Sequence, residues 1–223
     1  AAMASNNHHG QASASADPRW SVTGQGANCE NYWDYYWQCI HDCAYFLQQL
    51  PTATVTSESD RSRWAAEAHL LRAYYYEELL RWFGRGLPLV ETPYTLDQSY
   101  ADVACASYYE TVQFIVKDCD AALECSDLPW RISTDGESGR LPKSLAWAIK
   151  SRMLLYAASP LYTGSDDHWQ EAYTMTKDAM TALSAQGYEL YSTMHDVSMY
   201  SGSSSHFGDG MYTSADSTTY RNK

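Results

Sequence analysis

An all-α fold, a tetratricopeptide-like array of antiparallel helix hairpins with long loops, is the class that the sequence predicts. Five segments carry apolar residues at spacings of three and four, the signature of a helix with one buried face. No segment of comparable length alternates apolar and polar residues as a half-buried strand would, and Pro-, Gly- and Ser-rich stretches separate the helical ones. With 223 residues, 45% of them hydrophobic, the chain is long enough to bury a sizeable core.

Residues 1–30 are rich in Ser, Ala, Gly and Asn and read as a loop-rich amino-terminal segment holding one conspicuous aromatic, Trp20. A helical domain is expected over residues 31–190. Its first helix carries Trp33, Trp37, Ile40, Ala44 and Leu47 on one stripe and ends before Pro51. The second runs from near Ser57 to Gly84 with Trp64, Ala68, Leu71, Tyr75, Leu79 and Trp82 on its stripe. Arg63 with Glu67, and Glu77 with Arg81, stand at i and i+4 on its polar face, pairs that contribute about 0.3 to 0.5 kcal/mol each. The short connection around Pro51 favours an antiparallel hairpin.

Beyond Gly84 the two prolines of LPLVETPYTL predict extended chain. Ser107 and Glu110 then form an S-x-x-E capping box, in which hydroxyl and carboxylate each satisfy a backbone N–H that the helix leaves orphaned. The stripe that follows is Val112, Ile115, Cys119 and Ala122. The loop LPWRISTDGESGR leads to Pro142 at a first helical position, with Leu145, Ile149, Met153 and Tyr156 on one face. Alanines 146, 148, 157 and 158 let a neighbouring helix come close. The fifth helix follows TGSDD, shows Trp169, Tyr173, Thr176, Met180 and Leu183, and stops at Gly187. A strict 34-residue repeat is absent, so a regular solenoid is only approximated. Residues 191–223 read as a loop-rich, incomplete carboxy-terminal segment. The fold is therefore expected to be truncated, with apolar stripe surface that further sequence would cover.

A formal charge of −12, with 15 scattered Lys and Arg, argues against nucleic acid and against an anionic membrane surface. No run approaches the roughly 18 apolar residues of a membrane span, and the start AAMASNNHHG has neither a basic nor an apolar signal region. The six cysteines match neither a zinc ribbon nor a compact disulfide framework. Cys39 and Cys43 share a helix face, but two thiols with no second ligand pair read as small buried hydrophobes, so no metal is expected.

Catalytic constellations are not found. The adjacent acids Glu77/Glu78 and Asp166/Asp167 diverge by roughly 100° if helical, cannot flank one bond together, and read as a solvated face or a cap. There is no HExxH, no GxSxG and no phosphate loop, hence no expected cofactor and no expected enzyme. Trp33, Trp37, Trp64, Trp82 and Trp169 lie on helical stripes and are assigned to the core. Trp20 and Trp130 lie in loops, where a ring either anchors the loop or forms a platform for the apolar face of a sugar.

The run WAAEAHLLRAYYYEELLRWFGRGLPLVETP, from Trp64 to Pro93, resembles the hallmark of the SusD/RagB family of outer-membrane nutrient-binding lipoproteins. In that family a helix of the type AEA-x-x-LRA-x-x-Y-x-x-L leads to a Gly-Pro-Leu-Val turn. NYWDYYWQCIHDCAYFL before it, SYYETVQFIVKDCDAAL after it, then SGRLPKSLAWAIKSRMLLYAASPLYTG, fall in the family's order, and WQEAYTMTKDAM suits its next helix. GRGLPLV is slightly longer than the usual turn and DCD replaces the common DLD.

The resemblance implies a SusD-like helical framework that binds an oligosaccharide, polysaccharide or peptide-derived nutrient. It also implies a SusC-type TonB-dependent transporter over which the protein sits as a lid. The location implied is the outer membrane, facing outward, with membrane contact only through a lipid anchor absent from this chain; Cys29 lies inside the chain and is no lipidation site. Family ligand residues often precede the WDxYY helix, here the segment with Arg19, Trp20 and Asn28; a ring, a guanidinium and an amide suit a sugar. Asn28 also suits a helix cap. The expected ligand-binding residues are Arg19, Trp20, Asn28 and Trp130. Two other classes compete: an intracellular TPR-like protein-protein interaction adaptor working through a concave groove, and an all-helical glycoside hydrolase, which needs two carboxyl groups about 5 to 9.5 Å apart.

Overall fold

A computed structural model describes residues 30–84, 86–95, 97, 99–100, 103–163 and 167–189. Five long helices are present among them: α1 (Glu30–Gln49), α2 (Glu58–Phe83), α3 (Tyr108–Glu124), α4 (Lys143–Ala157) and α5 (Trp169–Ala185). A single helical turn spans Pro160–Thr163, and 3-10 turns lie at Leu50–Thr52 and Asp135–Glu137. No strand occurs among the described residues. Each helix packs on the next in chain order, and α2 also reaches α4. The result is a linear array with α1 and α5 at its two ends.

Local chemistry sets the helix ends. The Ser57 hydroxyl accepts from the Asp60 N–H at 3.2 Å, Glu58 and Asp60 sit in the first turn of α2, and Arg81 sits in its last. Gly84 closes α2 in the left-handed region, φ 64°, and its N–H donates to the Leu80 carbonyl at 2.9 Å. The capping box forms as the sequence predicts: the Glu110 N–H donates to Ser107 Oγ at 3.1 Å and the Ser107 N–H to Glu110 Oε2 at 2.7 Å. Pro142 is displaced by one position from the expectation. It is the cap residue, in extended conformation, and Lys143 begins α4.

Ile40 of α1, Leu70, Tyr76, Leu79 and Leu80 of α2, Ile115 and Cys119 of α3 and Ile149, Met153 and Leu154 of α4 are sealed from solvent in one continuous core. Burial on this scale is the main favourable term for the array, about 25 cal/mol per Å² of apolar surface removed from water. Ala146, Ala157 and Ala158 are buried where helices approach closely, whereas Ala148 faces out. Because α2 has helices on several sides, its buried residues run all round it and no single stripe describes it.

Three expectations are corrected. Trp64 and Trp169 are 37% and 50% exposed and do not belong to the core, while Trp33, Trp37 and Trp82 do pack against it. The inward face of α5 is Ala172, Met175 and Ala179; its small side chains suit a close helix contact, and Tyr173 and Met180 of the predicted stripe point outward. Glu77 and Glu78 are buried rather than solvated, and Arg81 pairs with Glu78 while Glu77 reaches Arg152 of α4 at 2.6 Å. The cation supplied by a neighbouring helix reaches Glu77 inside the core, which a same-helix partner on the surface cannot do.

Candidate functional site

The loops are anchored on the helices by polar groups inside the core. Arg72 donates through Nε and Nη2 to the two carboxylate oxygens of Asp118, each at 2.7 Å, and through Nη1 to the Val90 and Glu91 carbonyls at 3.3 Å. His69 Nδ1 meets the same carboxylate at 2.7 Å. Burial alone would raise the Asp118 carboxyl, but the hydrogen bonds from Arg72 and His69 outweigh it and hold the group below its ordinary 3.8. The Tyr76 hydroxyl donates to the Pro88 carbonyl at 2.9 Å and accepts from the Val90 N–H at 2.8 Å. Without these partners the extended segment 86–91 would carry buried, unpaired backbone groups.

The same segment explains Gly86. A Cβ there would lie 1.5 Å from the Ala106 carbonyl oxygen, and the Ala106 N–H donates to Leu87 O at 3.0 Å. The strand-like passage after α2 is thus pressed onto the entry to α3, an approach that only glycine permits.

Trp130 lies in the loop between α3 and α4 and is half-buried. Its carbonyl accepts from the Tyr188 hydroxyl at 2.6 Å, and Lys143 Nζ stands 5.9 Å from its ring centroid. The neighbouring Arg131 lies over the Tyr188 ring at 3.9 Å and donates to the Gly187 carbonyl at 2.7 Å. The chain just after α5 therefore fixes this loop, with Trp130 half-buried in it. Arg19, Trp20 and Asn28 fall outside the described residues, as does Cys29.

A groove of about 450 Å³ opens between α1 and α2. From α1 it is lined by Asp42 and Phe46, and from α2 by Trp64, Glu67, Leu71 and Tyr75. Cys39 and Cys43 lie deeper along the same wall, where burial pushes the Cys43 thiol up to about 12. Glu67 is fixed in place: its Oε1 accepts from Arg63 Nε at 3.3 Å and Arg140 Nε at 2.9 Å, and its Oε2 from Arg140 Nη2 at 2.8 Å. Glu137 adds a fourth charge, accepting from Arg63 Nη1 at 2.7 Å and Arg140 Nη1 at 3.3 Å. No group of three or more His, Cys, Asp or Glu side chains could hold a metal ion among the described residues, and no described helix is long and apolar enough to cross a membrane.

Sequence reasoning missed this groove because it placed Trp64 in the core. Phe46 carried a signal: it stands off the Trp33-Trp37-Ile40-Ala44-Leu47 stripe, so a helix packed through that stripe turns Phe46 away from the core.

A family model described as "SusD-like_3: Starch-binding associating with outer membrane" matches residues 1–155. A comparison with the sequences of curated proteins gives no match. Among solved structures, a SusD-like protein from Bacteroides fragilis NCTC 9343 is 28% identical over 72% of this chain and 28% of its own, with a TM-score of 0.58. A SusD-like carbohydrate binding protein from the same organism is 25% identical over 74% of this chain and 29% of its own, TM-score 0.58. The protein BT4246 is 27% identical over 90% of this chain and 34% of its own, TM-score 0.67. The chain thus spans about a third of the length of these solved relatives. The family match covers residues 1–155, well over half of the chain, and the chain belongs to the SusD-like family.

Proposed function

We propose that the protein captures a neutral glycan outside the outer membrane and delivers it, uncleaved, to a SusC-type TonB-dependent transporter, the full-length form being held to the membrane by a lipid anchor. The observation that carries this reading is the family match over residues 1–155, whose description names starch binding and the outer membrane. A carbohydrate-binding relative of the same fold supports it.

The chemistry supports capture over catalysis. Glu77 is committed to Arg152 of α4, and Glu78 to Arg81 and the Trp82 indole N–H within α2, so both acids are held in structural pairs. Arg19, Trp20, Asn28 and Trp130 are the ligand contacts in this reading: rings for stacking, a guanidinium and an amide for hydroxyls.

Affinity electrophoresis through gels cast with starch, xylan or mannan tests the reading. Retardation in at least one gel, reduced by Trp130→Ala, is the expected result. Unchanged mobility in all of them would remove the basis for glycan capture.

A further inference from the structure

We propose that the groove between α1 and α2 is a separate carbohydrate subsite that takes one or two rings of a neutral pyranose chain. The proposal rests on the glycan-capture reading and adds a second place of contact, on the facing walls of α1 and α2.

A pyranose presents an apolar C–H face and a rim of hydroxyls, so it needs a flat ring beside an acceptor already fixed in direction. The groove supplies both. Trp64 and Phe46, 37% and 40% exposed, face it from opposite helices, and large aromatics left this open on adjacent elements form a contact surface that the core does not use. Glu67 is three residues beyond Trp64 and therefore beside it on the same face of α2.

Two arginines orient the Glu67 carboxylate before any ligand arrives. A carboxylate has about four lone-pair sites. Oε1 already accepts twice and Oε2 once, which leaves a place on Oε2 for a sugar hydroxyl. Asp42, with a side chain 67% exposed, offers a second acceptor on the α1 wall.

Charge selects the class of sugar. Arg63 and Arg140 offset Glu67, Asp42 repels an anion, and the whole chain carries −12, so uronic or sulfated sugars are disfavoured and an uncharged ring fits. A volume of about 450 Å³ lies within the range of small-ligand sites.

Methyl-resolved NMR of the whole chain, titrated with maltohexaose, laminarihexaose and cellohexaose, tests the subsite. The Ala68 and Leu71 methyls lie in the groove, and at least one hexaose should shift them. Trp64→Ala should weaken that binding by about tenfold, the scale of one aromatic contact, and Trp64→Phe should recover most of it. Trp169→Ala, which removes a more open ring on α5, should change nothing. Unmoved Ile149 resonances would confirm that each variant is folded.

A hexaose that binds without moving Ala68 or Leu71, or a Trp64→Ala chain of unchanged affinity, would overturn the subsite and leave glycan capture standing. Binding of no hexaose, by any resonance or by calorimetry, would overturn the subsite, and if no polysaccharide gel retards the chain either, the capture reading falls with it.

Discussion

Arg72 and Asp118 meet as two parallel hydrogen bonds of 2.7 Å, with side chains only 6% and 1% exposed, and so join α2 to α3 through a charge pair closed to solvent. Such a pair costs desolvation and is not by itself a strong source of stability. What it supplies here is geometry. The third donor of the same guanidinium holds the Val90 and Glu91 carbonyls, so helix packing and loop placement depend on one side chain.

Breaking the pair from one side should be costly, because the remaining charge stays buried. Asp118→Ala is expected to lose about 3 to 5 kcal/mol in urea unfolding. Arg72→Lys should recover little, since an ammonium cannot donate the parallel fork. A loss under about 1 kcal/mol for Asp118→Ala would show that the clamp does not organise the core.

Acid should weaken the fold through Asp118. Its carboxyl is held below 3.8 in the folded chain, so its contribution is complete above the ordinary value and fades as pH falls through the lower folded one. Glu77 has the opposite sign: burial raises it above 4.5 despite Arg152, so its contribution is present below 4.5 and fades as pH rises through the raised value. Urea midpoints followed across this range should fall at the acid end in the parent chain, and Glu77→Gln should flatten the upper limb. A parent chain whose midpoint does not move below pH 3.8 would contradict the assignment to Asp118.

The glycines should separate by mechanism. Gly86→Ala places a methyl against backbone and should cost about 1 to 3 kcal/mol. Gly84→Ala meets only ordinary contact with the Tyr162 hydroxyl, but its φ of 64° strains any L side chain, by about 1 to 2 kcal/mol. Gly136→Ala, with nothing within 4 Å and no unusual φ, should be near neutral. Thermal unfolding of the three variants gives the order directly, and a neutral Gly86→Ala would show that the passage after α2 is not pressed onto α3.

Thiol chemistry reports the same burial. Cys105 is exposed and should be alkylated quickly near pH 8, while Cys43, pushed up to about 12, and Cys119, raised well above the ordinary thiol value by burial, should resist until denaturant is added. Peptide mapping by mass spectrometry distinguishes them. Native-state labelling of Cys119 at the Cys105 rate would place α3 outside the core.

Much of the frame was legible in the chain itself. Ser57, Gly84, the Ser107–Glu110 box, the stripes of α1 and α3 and the Leu145, Ile149 and Met153 part of the α4 stripe act over one or two turns, and local rules read such features well, whereas Tyr156 at the end of that stripe is 37% exposed. What failed was long-range. Periodicity finds an apolar stripe but not which neighbour it meets, so it points Trp169, Tyr173 and Met180 inward while Ala172 and Ala179 make the contact. Glu77 and Arg152 are 75 residues apart, a separation no helical spacing rule covers. The groove was hidden for the same reason: Trp64 and Phe46 meet only once α1 folds back on α2.

Isothermal titration of the chain with starch, xylan and mannan, followed by assay of the recovered glycan for new reducing ends, tests capture without cleavage most directly. Saturable heat with at least one polysaccharide and no new ends is the predicted result. Accumulating reducing ends, or no heat with any of them from a correctly folded chain, would contradict it.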